Sequence, residues 1–208
     1  MKVTNELLAG LLIAAVLITV VGTIVNSFRI AQLYKSITGY AVNETGYVEV
    51  NVSSNVSITL PQNTVDFGSG YLKSGASYVD LQSNDTTVPS NWENTSIYDP
   101  SDLILENNGN TNVSVNVTSN VTAADFIGGD NPAFMFAAEN NESNSCIGTL
   151  QSSYTELTTT SPGKNVCTNL KAIEGSNSLK IHILLRVSVG ASTTGKEVAA
   201  LTFSASQA

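Results

Sequence analysis

The sequence predicts a mainly β protein: a long N-terminal hydrophobic α-helix followed by a two-layer β-sandwich of the Ig-like or jelly-roll kind. Three observations carry this expectation. Leu7 to Phe28 run 22 residues without a charge. Past residue 40, apolar residues recur at every second position in short runs punctuated by Gly, Asn, Asp and Pro, the period of a strand rather than a helix. Polarity comes from neutral side chains: 25 Ser, 22 Thr and 22 Asn make a third of the 208 residues, while only 12% are charged, about half the usual share.

The apolar run sets the first domain, residues 1–39. As a helix it extends about 33 Å, enough to cross a hydrocarbon core of about 30 Å. Thr4 or Asn5 can cap its start. Beyond Phe28 the pattern turns amphipathic, with Ile30, Leu33, Tyr34 and Ile37 at helical spacing and Arg29, Gln32 and Lys35 between them, and Gly39 is a natural stop. A retained anchor or assembly helix is favoured over a cleaved secretory signal or a core helix, because the run is long for a signal and its small-residue site, Val20-Val21-Gly22, lies inside it. Gly10 and Ala14 form a small-xxx-small pair and Gly22 adds another place for close helix approach.

Residues 40–208 read as strands and polar turns. Tyr47–Leu60 alternates Val48, Val50, Val52, Val56, Ile58 and Leu60 with polar residues, and Val65–Phe67, Tyr78–Leu81 and Ala133–Ala137 are shorter strands. Leu103–Val117 is expected as a hairpin turning at Asn107-Asn108-Gly109-Asn110. In Leu179–Val189 the odd positions face inward, so His182 should share a solvated face with Lys180 and Arg186; Gly190–Gly195 then turns this strand into a last one, Leu201–Ala205. Asn84-Asp85, Asp99–Asp102 and Gly128-Gly129 read as turns, and an isolated pair such as Asp99 and Asp102 is weak support for calcium.

Nine N-x-[ST] sequons, at Asn43, Asn51, Asn55, Asn84, Asn94, Asn112, Asn116, Asn120 and Asn141, point to N-linked glycans and thus to an extracellular domain. The positive-inside rule, applied to Arg29 and Lys35, weakly prefers the opposite orientation. Placement of the sequons outweighs it. Asn112, Asn116 and Asn120 alternate with Val113, Val115, Val117 and Val121, and Asn51 and Asn55 lie opposite their own valines, so five sequons fall on the outward parity of expected strands. Cys146 and Cys167, in a polar stretch of a chain bound for the outside, read as one disulfide.

Several function classes lack support. A net charge of −8 with no clustered Lys or Arg argues against nucleic acid. Phosphate-loop, dinucleotide and zinc-cluster motifs are absent, and two Cys and one His do not make a four-ligand zinc site. No catalytic residues, metal or cofactor are expected, and the chain is not read as an enzyme.

A hydrophobic helix leading through a short amphipathic extension into an Asn- and Thr-rich β domain resembles archaeal pilins and related surface-filament subunits. Glu6 is similar to the glutamate near the start of type IV pilins, and the resemblance implies that it faces a subunit amine in the helical core. Leu105-x-Asn107-x-Gly109-Asn110 and Ala199–Ala205 are similar, more loosely, to the TasA/camelysin group of fibre proteins. These likenesses imply a non-enzymatic structural subunit of a cell-surface filament or envelope. Its membrane contact would be residues 7–28, its partners copies of itself, and its β domain would be exposed and glycosylated. The alternative is a monomeric membrane-anchored surface protein, an adhesin or sugar-binding module. Residues 40–163 carry 14 acidic residues against Lys73, whereas residues 164–208 are net basic and free of sequons. Lys180 and Arg186 are therefore the expected basic contacts for a neighbour's acidic face.

Overall fold

The structure, a computed structural model, describes residues 5–37, 50, 52–191 and 197–208, and within the helix the side chains of residues 5 and 7–28. The expected sequons Asn43 and Asn51, the Gly39 stop, the side chain of Glu6 and those of the amphipathic extension lie outside the described residues. The chain divides into two compact units, Met1–Asn51 and Val52–Ala208.

The first unit contains α1, Asn5–Ile37, a single 33-residue helix. Leu7–Phe28 has a mean hydropathy of 2.7 and none of it is buried, so the chain carries one helix long and apolar enough to cross a membrane. Its hydroxyls need no outside partner. Thr19 Oγ1 donates to the Ala15 carbonyl at 2.7 Å, Thr23 Oγ1 to Thr19 at 2.7 Å and Ser27 Oγ to Thr23 at 2.8 Å. Each four-residue step satisfies a polar group inside the helix, which removes the penalty an unpaired hydroxyl would carry in hydrocarbon.

The second unit is a two-layer sandwich. Its elements are β1 (Ile58–Gln62), β2 (Gly70–Leu72), β3 (Tyr78–Gln82), β4 (Trp92–Asn94), β5 (Leu103–Asn107), β6 (Val113–Ser119), the one-turn α2 (Ala123–Phe126), β7 (Ala133–Asn140), β8 (Thr155–Glu156), β9 (Lys164–Leu170), β10 (Ser178–Ser188) and β11 (Leu201–Gln207). The larger sheet runs β1-β5-β10-β7-β8, with β3 also on β10; the smaller runs β11-β6-β9; β2 and β4 form a two-stranded ribbon. All pairs are antiparallel. Alternation explains the layers. Leu103 and Leu105, Phe134 and Phe136, and Leu179, Ile181 and Ile183 from the large sheet meet Val113, Val115, Val117, Val166, Cys167 and Leu170 from the small one. Burying each of the largest of these side chains is worth about 1.5–3 kcal/mol. A satellite cluster of Val79, Leu81, Trp92 and Tyr98 extends this core under the ribbon. A Cβ at Gly70 would strike the Trp92 indole, so only glycine lets the ring lie on that backbone.

Neither of two expected hairpins forms, because the strands of each lie in different layers. β5 pairs with β1 and β10, while β6 pairs with β11 and β9, so residues 107–112 carry the chain from one sheet to the other. Likewise β10 belongs to the large sheet and β11 to the small one, so these two strands do not pair with each other; residues 192–196 of the expected turn lie outside the described residues. Asn107 holds the arch over residues 107–112. It is fully buried, its Nδ2 donates to the carbonyls of Thr111 at 3.0 Å and Leu170 at 3.2 Å, and its Oδ1 accepts from Gly109 N–H at 3.0 Å. Gly109 is required by close approach, since a Cβ there would overlap the Asn55 carbonyl. The long strand expected over Tyr47–Leu60 is also shorter than its alternation suggests. Residues 52–57 are not in a strand, Val50 and Val52 are 80% and 73% exposed, and Asn110 pins this segment through bonds to Ser53 and Asn55. Val65 and Phe67 pack on the core without forming a strand.

The disulfide joins Cys146 to Cys167. Cys167 is not in a loop as expected but fully buried in β9, so the bond ties the segment after β7 to the small sheet. Closing a loop of this length contributes about 3 kcal/mol in the chain-entropy account.

Replacing Asn107→Ala should lower stability by about 1–3 kcal/mol, because it removes the amide's bonds to the Thr111 and Leu170 carbonyls and to the Gly109 N–H. The measurement is the urea midpoint of the purified chain at unchanged slope. An unchanged midpoint would show that the arch does not depend on this amide.

Candidate functional site

The polar cluster most worth describing lies where β10 changes neighbours. Along one edge of β10, residues 178–181 pair with β5 and residues 184–188 pair with β3. Between them, Ile183 has lost a strand partner, and Ser83, just past β3, takes its place: Ile183 N–H donates to Ser83 Oγ at 2.8 Å and Ser83 N–H to the Ile183 carbonyl at 2.9 Å. Ser83 Oγ in turn donates to Asp102 Oδ1 at 2.5 Å, and the same oxygen lies 3.0 Å from His182 Nδ1. The oxygen sits off the axis of the ring N–H, so this contact is an ion pair more than a hydrogen bond. On the other ring edge His182 Nε2 lies 3.6 Å from Glu139 Oε2, and Lys180 Nζ lies 3.5 Å from Glu139 Oε1.

His182 therefore corrects the expectation of a solvated histidine: it is 8% exposed. Its parity was read properly, since it does face away from the core, but that face is covered here. Contact with Asp102 raises the His182 pKa, and although burial opposes this, the nearby Asp102 and Glu139 charges add to it. Burial pushes the Asp102 carboxyl upward, yet the bonds from His182 and Ser83 and the charges of His182 and Lys180 outweigh it and hold its pKa below the ordinary value. Tyr154 closes the cluster, its hydroxyl donating to Gln82 Oε1 at 3.2 Å and Asn84 Oδ1 at 3.3 Å; burial, aided by the Asp102 charge, pushes its pKa up to about 12.

Serine, histidine and aspartate thus meet without the geometry of nucleophilic catalysis. The Ser83 hydroxyl is spent on the carboxylate rather than directed at the imidazole, and Ser83 is 2% exposed. Both ring nitrogens face carboxylates, an arrangement that stabilises an imidazolium. Among the described residues no group of three or more His, Cys, Asp and Glu is placed to hold a metal ion; Asp102 is committed to Ser83 and His182.

Lys180 and Arg186, expected as free basic contacts, each have an acidic partner inside the chain. Arg186 Nε and Nη2 grip Asp80 at 2.7 and 2.9 Å, with the guanidinium 4.5 Å above the Tyr78 ring, and Lys180 pairs with Glu139. Beside Tyr78 and Asp80 a shallow open groove of about 440 Å³ is lined by residues 75–80 and Pro89, Ser90 and Asn91. On the helix, nothing lies within 4 Å of where a Cβ would stand at Gly10 or Gly22, and Ala14 is exposed, so all three remain open to a neighbour.

The sequons differ in what their amides do. Asn55, Asn84, Asn120 and Asn141 are exposed, while Asn94, Asn112 and Asn116 are half-buried. Asn84, Asn112, Asn116 and Asn120 accept hydrogen bonds through Oδ1, from Tyr154, Ala172, Asn165 and Ala200. Asn94 instead uses Nδ2 to bond the Ser96 carbonyl and has a buried, unpartnered Oδ1, and Asn141 Nδ2 donates to Ser178. Among the described residues the glycosylatable nitrogen has no protein partner in the first group and is engaged in the second.

Compared with known proteins, the chain matches no family model, no characterised protein and no solved structure.

The histidine cluster gives a signed pH dependence. A raised His182 pKa contributes stability that is complete below the unfolded value near about 6.5 and is lost as pH rises through the folded value. A lowered Asp102 pKa contributes stability present above about 3.9 and lost as pH falls through its folded value. Thermal melts of the wild type should therefore fall as pH rises above about 6.5. His182→Gln should flatten that limb, which is assignable because the chain has one histidine. An equally steep limb in the variant would remove His182 as its cause.

Proposed function

We propose that the chain is a non-enzymatic structural subunit of a cell-surface filament or envelope, anchored and assembled through α1, with the β domain displayed outside the cytoplasm and carrying N-linked glycans. The observation that carries this reading is the helix. Leu7–Phe28 is apolar on every side and entirely unburied by its own chain, and its hydroxyls are internally satisfied. Such a surface is stable only in hydrocarbon or against other helices, and both environments are what an anchored, polymerising subunit needs. The orientation is supported by the disulfide, which persists in oxidising compartments, and by Asn84, Asn112, Asn116 and Asn120, whose Oδ1 atoms accept hydrogen bonds while their Nδ2 atoms have no partner among the described residues.

A second reading, a membrane-anchored monomeric adhesin or sugar-binding module, is favoured by the groove beside Tyr78. There an aromatic ring, Asp80 and Asn91 stand together, the mixture of stacking and hydrogen-bonding groups that polar ligands use. Electron microscopy of sheared surface material separates the two readings: filaments containing this chain support the first, and a dispersed membrane protein supports the second.

Mass spectrometry of the native protein should find a mature start ahead of Leu7 and glycans on Asn84 and Asn120, with Asn94 unmodified. A start near Thr23 would remove anchor and filament core together. Glu6→Gln should impair assembly while leaving membrane insertion intact, since a carboxylate packed among helices must find a cation or a proton whereas the amide needs neither. Normal assembly by that variant would end the pilin-like role of Glu6.

A further inference from the structure

The smaller sheet ends in β11, and the hydrogen bonds at its two ends fix which main-chain groups point outward. Asn120 N–H donates to the Ala200 carbonyl, Ala208 N–H donates to the Asn112 carbonyl, and the register from Leu201–Ser119 to Gln207–Val113 is unbroken. In an antiparallel pair the inward main-chain groups alternate, so residues 200, 202, 204, 206 and 208 bond towards β6. The N–H and C=O groups of Leu201, Phe203, Ala205 and Gln207 therefore face away from it, and no described residue pairs with them.

Among the described residues the usual protections of such an edge are missing. From Val198 to Ala208 there is no charge and no proline, and the pairing with β6 has no bulge. Leu201, Phe203 and Ala205 point to the core but stay half-buried, as do Ile58 and Leu60 of β1, the corresponding edge strand of the large sheet. The opposite flank is closed: β9 is joined to the segment after β7 by the disulfide, and Gln151 bridges the layers by donating to the Val166 carbonyl while accepting from Ala138 N–H. The sandwich is thus zipped along one flank and open along the other.

We propose that β11 is a self-association edge on which a second copy of this chain lays its own β11, antiparallel, to join two small sheets into one across a two-fold axis. Three features select a second copy. An antiparallel edge is self-complementary by construction, because the same row of donors and acceptors meets itself after a two-fold rotation. The partner strand carries its own Leu201, Phe203 and Ala205 on the core side and extends the half-covered apolar seam. In a chain of net charge −8, two copies repel over most of their surface, and the eleven uncharged residues of this edge let them meet without like-charge cost. One strand pair makes a small contact of the weak, transient class, and an apolar helix holding two copies in one membrane would strengthen it through effective concentration. The inference does not depend on filament formation.

The test uses the full chain in detergent micelles, followed by amide hydrogen exchange over a concentration series. The amides of Phe203, Ala205 and Gln207 should gain protection of about tenfold or more as concentration rises, while those of residues 202, 204 and 206 stay protected throughout. Ala205→Pro deletes an outward N–H and spares the bonds to β6, so it should abolish the gain and leave the thermal melt near wild type. Should that variant misfold, Ser204→Lys provides the same reading by opposing like charges on the outer face of the joined strands. In parallel, Ser204→Cys should form an intermolecular disulfide that Ala205→Pro suppresses. Concentration-independent exchange of the outward amides overturns the proposal, whether they are always open or always protected by other parts of the same chain. So does undiminished cross-linking in the proline variant.

Discussion

Strand β10 is hydrogen-bonded along both edges for most of its 11 residues, and the rest of the β domain is arranged by what that demands. A strand so long outlasts any one neighbour, and its partners on one side are β5 and then β3. The handover leaves Ile183 without a strand partner, and a buried backbone group cannot remain so. Ser83 repairs the ladder, and its hydroxyl then requires an acceptor, which is Asp102. The carboxylate, buried in turn, is stabilised by His182 and Lys180. A chain of satisfied obligations thus runs from one backbone amide to a histidine that also faces Glu139.

Charge is used sparingly and locally throughout this domain. Lys73 pairs with Glu93, Lys180 with Glu139 and Arg186 with Asp80, so several of the few cations are neutralised within their own sheets. Elsewhere the surface is Ser, Thr and Asn, as on the outer face of the small sheet, where Asn165 bonds Ser114, Val115 and Asn116. Neutral amides and hydroxyls do not repel one another when copies crowd together. A surface of this kind suits dense packing of like subunits better than a highly charged one.

The two flanks of the sandwich show a division of labour. The flank holding Cys146, Cys167 and Gln151 is fixed by a covalent bond and by bridges between layers. The flank bounded by β1 and β11 ends in half-buried aliphatic and aromatic side chains. Three strands face a sheet of six, and the β2–β4 ribbon packs on the part of that sheet around β3.

Much of this protein was legible in one dimension. A run of 22 uncharged, mostly apolar residues has the length and composition of a membrane-spanning helix, and α1 follows from it directly. Period-two alternation fixed the faces of β6 and β10, and a lone pair of cysteines fixed the disulfide. Alternation records which side of a strand is buried and says nothing of which strand lies beside it. Asn107 to Asn110 therefore suited a hairpin as well as an arch, and only packing chose the arch; in the same way nothing local to β10 and β11 says that they belong to different sheets. β9 was hidden because Lys164–Leu170 keeps a buried valine and cysteine in succession rather than alternating. His182 faced outward, as its parity required, yet its burial depended on Asp102 and Ser83, which are distant in sequence and brought near only by the handover between β5 and β3. Local sequence determines a residue's face because neighbours along the chain impose it; what covers that face is decided by segments that meet it only in three dimensions.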